Sequence, residues 1–472
     1  MDFNKKLFES KYVPEKERVP VDTLILVGNG FDSWQKLPTG YSYFETYYEE
    51  HVDEVLERLH IKKHILKDKD GNPVPDRDGN MITYNDAELF YGDPEKFRDP
   101  EFPKRLPHEF WMDFETSLDK IDDQGILYYF GKTSEDLKKI RQCADHAKQI
   151  LTEIFCDWIL SFRVEERPSE YEFNNCLFVN FNYTDTLLKR FGVEERQEFH
   201  IHGSALDRES IVFGHASHPE LPYAGMPGGP NHPRYEGLYY IEEFLYHSDK
   251  HIEDRYLYVK IFLAMHGVRM EDIKEIYVLG LGFGDADLGY IRNVYHDTEG
   301  LERDREADLG EYEKRYLDSM EYETQKVLNI EYAASHRERI MRKDPISYPE
   351  YERLDQMMFE SLGDPYYHVG RERQIRLQAA AVRRRFWEEQ EIRNRKIKRE
   401  YLRLLSRLSG GKRILPEDDP LERNGNASGA RWHISYYSDK DKERITHVMK
   451  ELGCENFELY PTIDACIQKW KK

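Results

Sequence analysis

No stretch of this chain approaches the roughly 20 consecutive apolar residues that a membrane-spanning helix needs, so no contact with a membrane is expected. Met1 to Pro20 is charged and carries no apolar signal region, which points to a cytoplasmic protein. Cysteine is scarce: Cys143, Cys156, Cys176, Cys454 and Cys466 lie scattered, with no Cys-x-x-Cys pair. That spacing supports neither a disulfide framework nor a cysteine zinc module, and leaves buried reduced thiols. Positive charge is in deficit as well. A formal net charge of −21 argues against a protein dominated by contacts with nucleic-acid phosphates, although a local basic face remains open.

What is present is enough for two or three domains, or for one α/β core with large insertions, in 472 residues. Val21 to Val27 is an apolar run of the kind a buried parallel strand shows, and it ends in Gly28-Asn29-Gly30-Phe31-Asp32. Glycines at such a strand-to-helix turn allow a tight bend and a close approach to a pyrophosphate. The third glycine of the dinucleotide fingerprint is missing, since Ser33 stands there, which disfavours a conventional dehydrogenase.

The chain reads as five segments. Residues 1–66 hold this first strand and turn, with a helix over Tyr41 to Leu66. Residues 67–170 form a hairpin and helical insertion, with turns between Asp68 and Asn80 and a helix from Ser134 to Phe162. Residues 171–300 return to strand character at Cys176 to Phe181, Glu198 to His202, Ile211 to Gly214 and Glu275 to Leu279. The last of these runs into a second glycine-rich turn, Gly280 to Asp285; a Pro/Gly-rich loop, Pro219 to Gly237, precedes it. Residues 301–428 are a charged helical insertion in which Arg371 to Arg413 carries fifteen basic against five acidic residues. Its apolar positions include Ile397, Tyr401 and Leu404. Residues 429–472 read as a strand and helix that rejoin the core.

Polar residues gather at three strand ends: Gly28, Asn29, Gly30 and Asp32; then Asn180, Asn182, Tyr183, Thr184 and Asp185; then His200, His202 and Gly203. Ligands collect beyond the carboxyl ends of parallel strands, so these sets are expected to converge. His200 and His202 would share a strand face, but no nearby thiol or carboxylate completes a metal-ligand spacing, and no metal is expected. Asp285 and Asp287 read as helix caps, and Trp111, Phe114 and Glu115 as packing residues.

The run Gly28 to Asp32 with Leu37-Pro38-Thr39-Gly40-Tyr41, Phe181 to Leu187, Ile201-His202-Gly203, Phe110 to Glu115, and Gly280 to Asp287 with Tyr290 closely resembles the AbiH family of bacteriophage abortive-infection proteins. That family in turn looks distantly like sirtuins and sirtuin-like NAD-degrading antiphage domains, the match carried by Gly28 to Tyr41, Asn182 and His202-Gly203. Thr39 and Tyr41 depart from the sirtuin pattern, as do Leu281 and Gly282 from the AbiH one, and the four-cysteine zinc module of sirtuins is absent.

The resemblance implies an α/β fold, a sirtuin-like Rossmann-type parallel sheet with large helical insertions. It also implies NAD+ or a related nucleotide as substrate rather than prosthetic group. His202, Asn182 and Asp32 would be catalytic: His202 a base, Asn182 a ribose or water contact, Asp32 a charge stabiliser or ribose contact. Gly28, Asn29, Gly30, Phe31, Thr39, Tyr183, Thr184, Gly203, Gly280, Gly282, Gly284 and Asp287 would surround the nucleotide. The expected function is an NAD+ glycohydrolase released by a phage-derived trigger. The insertions are candidates for sensing it, for homo-oligomer contacts or for binding a companion defence protein. A nucleotide sensor without catalysis, or a nucleic-acid-targeting effector built on the basic segment, are the competing readings.

Overall fold

The computed structural model describes residues 5–67, 72–76, 78–92, 106–112, 114–118, 134–167, 169–212, 250–301, 392–410, 421 and 429–472. The chain divides into two compact units, residues 1–218, 231–302 and 394–472 in one and residues 219–230 and 303–393 in the other. All that follows concerns the first. The Pro/Gly-rich loop and most of the charged insertion expected from sequence lie outside the described residues.

Six parallel strands form its sheet: β1 (Thr23–Val27), β2 (Cys176–Asn180), β3 (Glu198–His200), β4 (Glu275–Leu279), β5 (Arg431–Ser435) and β6 (Phe457–Tyr460). Their order is β3-β2-β1-β4-β5-β6, the doubly wound arrangement of a Rossmann-type core, and the strand order reverses between β1 and β4. The apolar runs explain this placement. All five residues of β1 and of β2 are buried, because a parallel sheet is covered on both faces.

The two faces alternate along the register. Leu24, Leu177 and Ile276 align on one face, and Ile25, Phe178 and Tyr277 on the other. The helices bearing on this sheet and its insertion include α1 (Asn29–Trp34), α2 (Tyr41–Leu59), α3 (Asp86–Tyr91), α4 (Ser134–Ser161), α5 (Ile252–Met265), α6 (Asp285–Thr298) and α7 (Asp439–Glu451). Phe262 of α5, Ile291 of α6 and Met449 of α7 pack on the first face, together with Tyr401 and Leu404 from helical residues 394–408. Phe31, Phe191, Ile467 and Trp470 pack on the second. Each fully buried side chain of this size contributes on the order of 1.5–3 kcal/mol.

A separate aromatic core lies within the segment inserted after β1, where Phe44, Trp111, Phe114, Phe155 and Trp158 interlock edge to face. Trp111 and Phe114 are thus packing residues, as expected. Several boundaries differ from the sequence reading. Helix α2 stops at Leu59, because His60 takes the left-handed conformation of a helix C-terminus. His64–Ile65 then pairs with Thr83–Tyr84 in a small antiparallel ribbon. The third strand stops at His200, so His202 occupies a turn. Residues 211–212 are not strand. No helix among the described residues is long and apolar enough to cross a membrane.

At the reversal point the loops of β1 and β4 interlock. Gly28 N–H donates to Leu279 O at 3.0 Å and Gly30 N–H to Gly280 O at 2.8 Å. A Cβ on Gly28 would stand 2.6 Å from Leu281 Cα, and one on Gly30 2.8 Å from Gly280 Cα. Gly280 has φ +66°, and a Cβ there would overlap the Phe31 backbone nitrogen. Gly280→Ala is therefore expected to cost about 3 kcal/mol or more in urea unfolding, from left-handed strain plus backbone overlap. Gly284→Ala, where a Cβ meets nothing within 4 Å, is expected to stay within about 0.5 kcal/mol.

Candidate functional site

The carboxyl ends of β1, β2 and β3 do bring the predicted polar residues together. Asn182 Nδ2 donates to Gly28 O at 3.0 Å, tying the loop after β2 to the turn after β1. Asn180 accepts the Asn182 N–H on Oδ1 at 2.9 Å and donates from Nδ2 to Glu198 Oε1 at 2.6 Å. His200 joins the same network, with Nδ1 2.8 Å from Asn182 O and Nε2 3.1 Å from Glu198 Oε1. Burial alone would lower its pKa, but the Glu198 carboxylate outweighs burial and raises it. His200 and Asn180 brace the loop, and His202 lies in the turn beyond the strand rather than on a strand face with His200 as expected.

Asp32 sits behind this loop, 1% exposed. Its Oδ2 accepts the Thr184 hydroxyl at 2.7 Å, and Thr184 Oγ1 lies 2.9 Å from Thr186 Oγ1. Oδ1 of Asp32 has no hydrogen-bond partner among the described residues. Burial pushes the carboxyl up to about 6, against the opposing pull of the two threonine hydroxyls. Nearby, Thr39 O accepts from Asn29 Nδ2 at 3.3 Å while the buried Thr39 Oγ1 is also unpartnered among the described residues. A buried acceptor and a buried hydroxyl left open are the kind of groups a bound ligand satisfies.

His202 is the centre of the second half. Its side chain is 2% exposed and is packed among Phe181, Tyr183 and Tyr290, with ring centroids 5.5, 6.3 and 5.6 Å away. Nε2 faces Asp287 Oδ1 at 3.4 Å, a long contact, and Nδ1 is buried with no partner among the described residues. Burial, helped by the Lys250 charge, lowers the His202 pKa, so the ring is neutral at pH 7. An Asp287 carboxylate selects the tautomer with the proton on Nε2 and leaves the lone pair on Nδ1.

The buried Lys250 ammonium bridges Asp287 Oδ1 at 3.0 Å and Glu115 Oε2 at 2.8 Å. Burial opposes ionisation of Asp287, yet Lys250 and then His202 hold its carboxyl well below the usual carboxylate range. Burial likewise opposes the Lys250 charge, and the two carboxylates more than restore it. Glu115 Oε1 lies 3.1 Å from the Tyr183 hydroxyl, which is also 3.2 Å from Val212 O.

Other expected residues have other settings. Phe31 is buried in the core against Trp34 and Phe191. The Gly28 and Gly30 N–H groups are already bonded to Leu279 and Gly280, and the room left by their missing side chains is filled by that backbone. Gly203 serves a turn at φ +85° against Ser210. Gly282 and Gly284 are exposed at the loop before α6, and the Asp287 side chain pairs with Lys250 and His202 rather than capping that helix. Lys250 and the ionic role of Glu115 escaped the sequence reading. A lysine and a glutamate 135 positions apart carry no spacing signal. Two large clefts lie elsewhere: one of about 1260 Å³, lined by residues that include Val21, Asn175 and His266, and one of about 660 Å³ lined by Pro38, Tyr43 and Arg163 among others.

Asp32 makes a pH prediction with a definite sign. Below about pH 4 it is neutral folded and unfolded; between pH 4 and 6 only the unfolded chain ionises, so stability falls as pH rises. The loss, on the order of 3 kcal/mol for a two-unit shift, persists above pH 6. Asp32→Asn is expected to flatten this limb and to unfold at higher urea than wild type at pH 7.5.

A family model described as bacteriophage abortive infection AbiH matches residues 24–304. Neither the curated proteins nor the solved structures contain a match to the chain. The matched stretch holds β1 from Leu24 on, β2 to β4, the aromatic insertion and every residue of the His202 and Asp32 clusters, and is more than half of the 472 residues. The chain therefore belongs to the AbiH family of bacteriophage abortive infection.

Proposed function

We propose that this abortive-infection protein is an NAD+ glycohydrolase that cleaves the nicotinamide–ribose bond, with His202 as its base. The observation that carries the reading is a neutral, buried histidine whose Nδ1 has no partner among the described residues and whose Nε2 faces the Asp287 carboxylate. It lies at the carboxyl ends of a doubly wound sheet, where such folds take nucleotides. A histidine oriented by a carboxylate, with its other nitrogen free, is the arrangement of a general base.

Cleavage of the glycosidic bond places positive charge on the ribose, as in other glycosyl transfers. Asp32 Oδ1 and the Oδ1 of Asn182 offer acceptors for ribose hydroxyls. His202 Nδ1 takes the proton from water or a ribose hydroxyl, and Asp287 steadies the imidazolium that forms. Because the Gly28 and Gly30 N–H groups are engaged, phosphate contacts fall to other groups. In cells, the activity would be released by a phage-derived trigger.

The test is NAD+ consumption by purified protein, with nicotinamide and ADP-ribose followed separately, with and without infected-cell lysate. Nicotinamide release is expected in wild type, reduced about 10²–10⁴-fold in His202→Ala and also lowered in Asn182→Ala. Binding of NAD+ or ADP-ribose without turnover under any condition would replace the enzyme with a nucleotide sensor.

A further inference from the structure

The helical insertion carries a second cluster of chemical groups, none of which takes part in the proposed cleavage. His64 Nε2 lies 2.6 Å from Asp86 Oδ1, and His146 Nδ1 lies 2.9 Å from Asp86 Oδ2. The Cys143 sulfur lies beside the same carboxylate. The donor atoms of His64, Asp86 and Cys143 all fall within 4.8 Å of one another.

Local structure holds each group in place. The short ribbon pairs His64 with Tyr84, two residues before Asp86. Asn85 caps α3 through a reciprocal bond pair with Glu88, which fixes Asp86 as the first residue of the helix. Cys143 and His146 are three apart on α4 and so share one face. Asp86 is 2% exposed, whereas the His64 and His146 side chains are about one-quarter to one-third exposed and leave a path from solvent.

From this geometry we infer that His64, Asp86 and Cys143 form a binding site for a zinc-like divalent transition metal, with His146 as the residue that positions the carboxylate. Nitrogen, oxygen and sulfur donors together suit a borderline-soft ion such as zinc, and suit magnesium or calcium poorly. Ligand atoms around tetrahedral zinc stand about 3.4 Å apart, so the three donors need only small shifts to close on an ion. His146 would donate to Oδ2 and leave Oδ1 for the metal, the usual hydrogen-bonded support of a ligating carboxylate. A plain His-Asp-His bridge accounts for two histidines on one carboxylate. It does not by itself account for a sulfur whose distance to the His64 and Asp86 donor atoms is no more than 4.8 Å. Binding would displace the proton on His64 Nε2 and the Cys143 thiol proton to solvent. The ion would clamp the ribbon, α3 and α4 together.

The site is testable without reference to NAD+. Untagged protein, stripped with a chelator, is titrated with Co²⁺ and then with Zn²⁺. One equivalent of Co²⁺ with a thiolate charge-transfer band, displaced by Zn²⁺, is expected in wild type. A rise in melting temperature of roughly 5 °C with excess Zn²⁺ should accompany it. Cys143→Ser should abolish the band, and His146→Ala should weaken binding about 10–100-fold while keeping it. If Cys143→Ser does not fold, His64→Gln, at a side chain about one-quarter exposed, serves in its place and should weaken binding at least tenfold. A titration without the band in wild type, a band that survives Cys143→Ser, or affinity unchanged in His64→Gln would each overturn the site and leave a hydrogen-bonded bridge.

Discussion

The close approach of two strand-end loops, Gly28 to Gly30 after β1 and Gly280 after β4, is the constraint on which the rest of the molecule depends. The loops meet backbone to backbone, with Gly30 N–H on Gly280 O and no room for a Cβ on either side. This contact fixes where β1 turns into α1 and so where Asp32 points. It also presents Gly28 O to Asn182, and through Asn182 it orders the loop that carries Tyr183 and Thr184. In a dinucleotide-binding turn one glycine admits a pyrophosphate. Here the neighbouring strand's own loop takes that space.

Around this frame the electrostatics separate into two halves. On one side Asp32 is desolvated and hydrogen-bonded by a threonine hydroxyl, and burial pushes its carboxyl up to about 6. On the other, the buried Lys250 stands between Asp287 and Glu115, which keeps the partly buried Asp287 ionised and lets the adjacent His202 stay neutral. Such a buried ion cluster adds little net stability compared with an apolar packing of equal volume. Its effect is to hold charge at a fixed place beside a histidine. The Tyr183 ring joins the two halves: its hydroxyl meets Glu115, its ring packs on Phe155 of the aromatic insertion, and its neighbour Thr184 holds Asp32.

Much of the core was legible because burial on both faces imposes unbroken apolar runs: Thr23–Val27, Cys176–Asn180 and Glu275–Leu279 could hardly be anything but central strands. The edge strand Phe457–Tyr460 escaped notice because it is only half buried and carries Glu458, so neither an apolar run nor a clean alternation marks it. Helix α5 escaped for the opposite reason. Buried nearly all round, Ile252–Met265 shows no amphipathic stripe to betray its period. Helix α2 ends seven residues before the Leu66 expected from the sequence, since the left-handed stop at His60 uses a residue with no strong turn signature.

The sequence by itself determined the strands of the central sheet, the glycine turns at their ends and the polar set of Asp32, Asn182 and His202, because each of these is written in local composition and short spacing. Only the tertiary structure decided which of those groups are occupied in bracing the fold and which are left open. Asn180 and His200 are spent on Glu198 and the loop backbone, while Asp32 Oδ1 and His202 Nδ1 are without partners among the described residues. It also decided that Lys250, Glu115 and Asp287 form one ionic cluster, and that His64, Asp86, Cys143 and His146 form another set of donors. The physical reason is that pairing of charges and donors depends on distance in space. Residues 135 or 37 positions from Lys250 become neighbours only once the sheet and its insertion have folded around them.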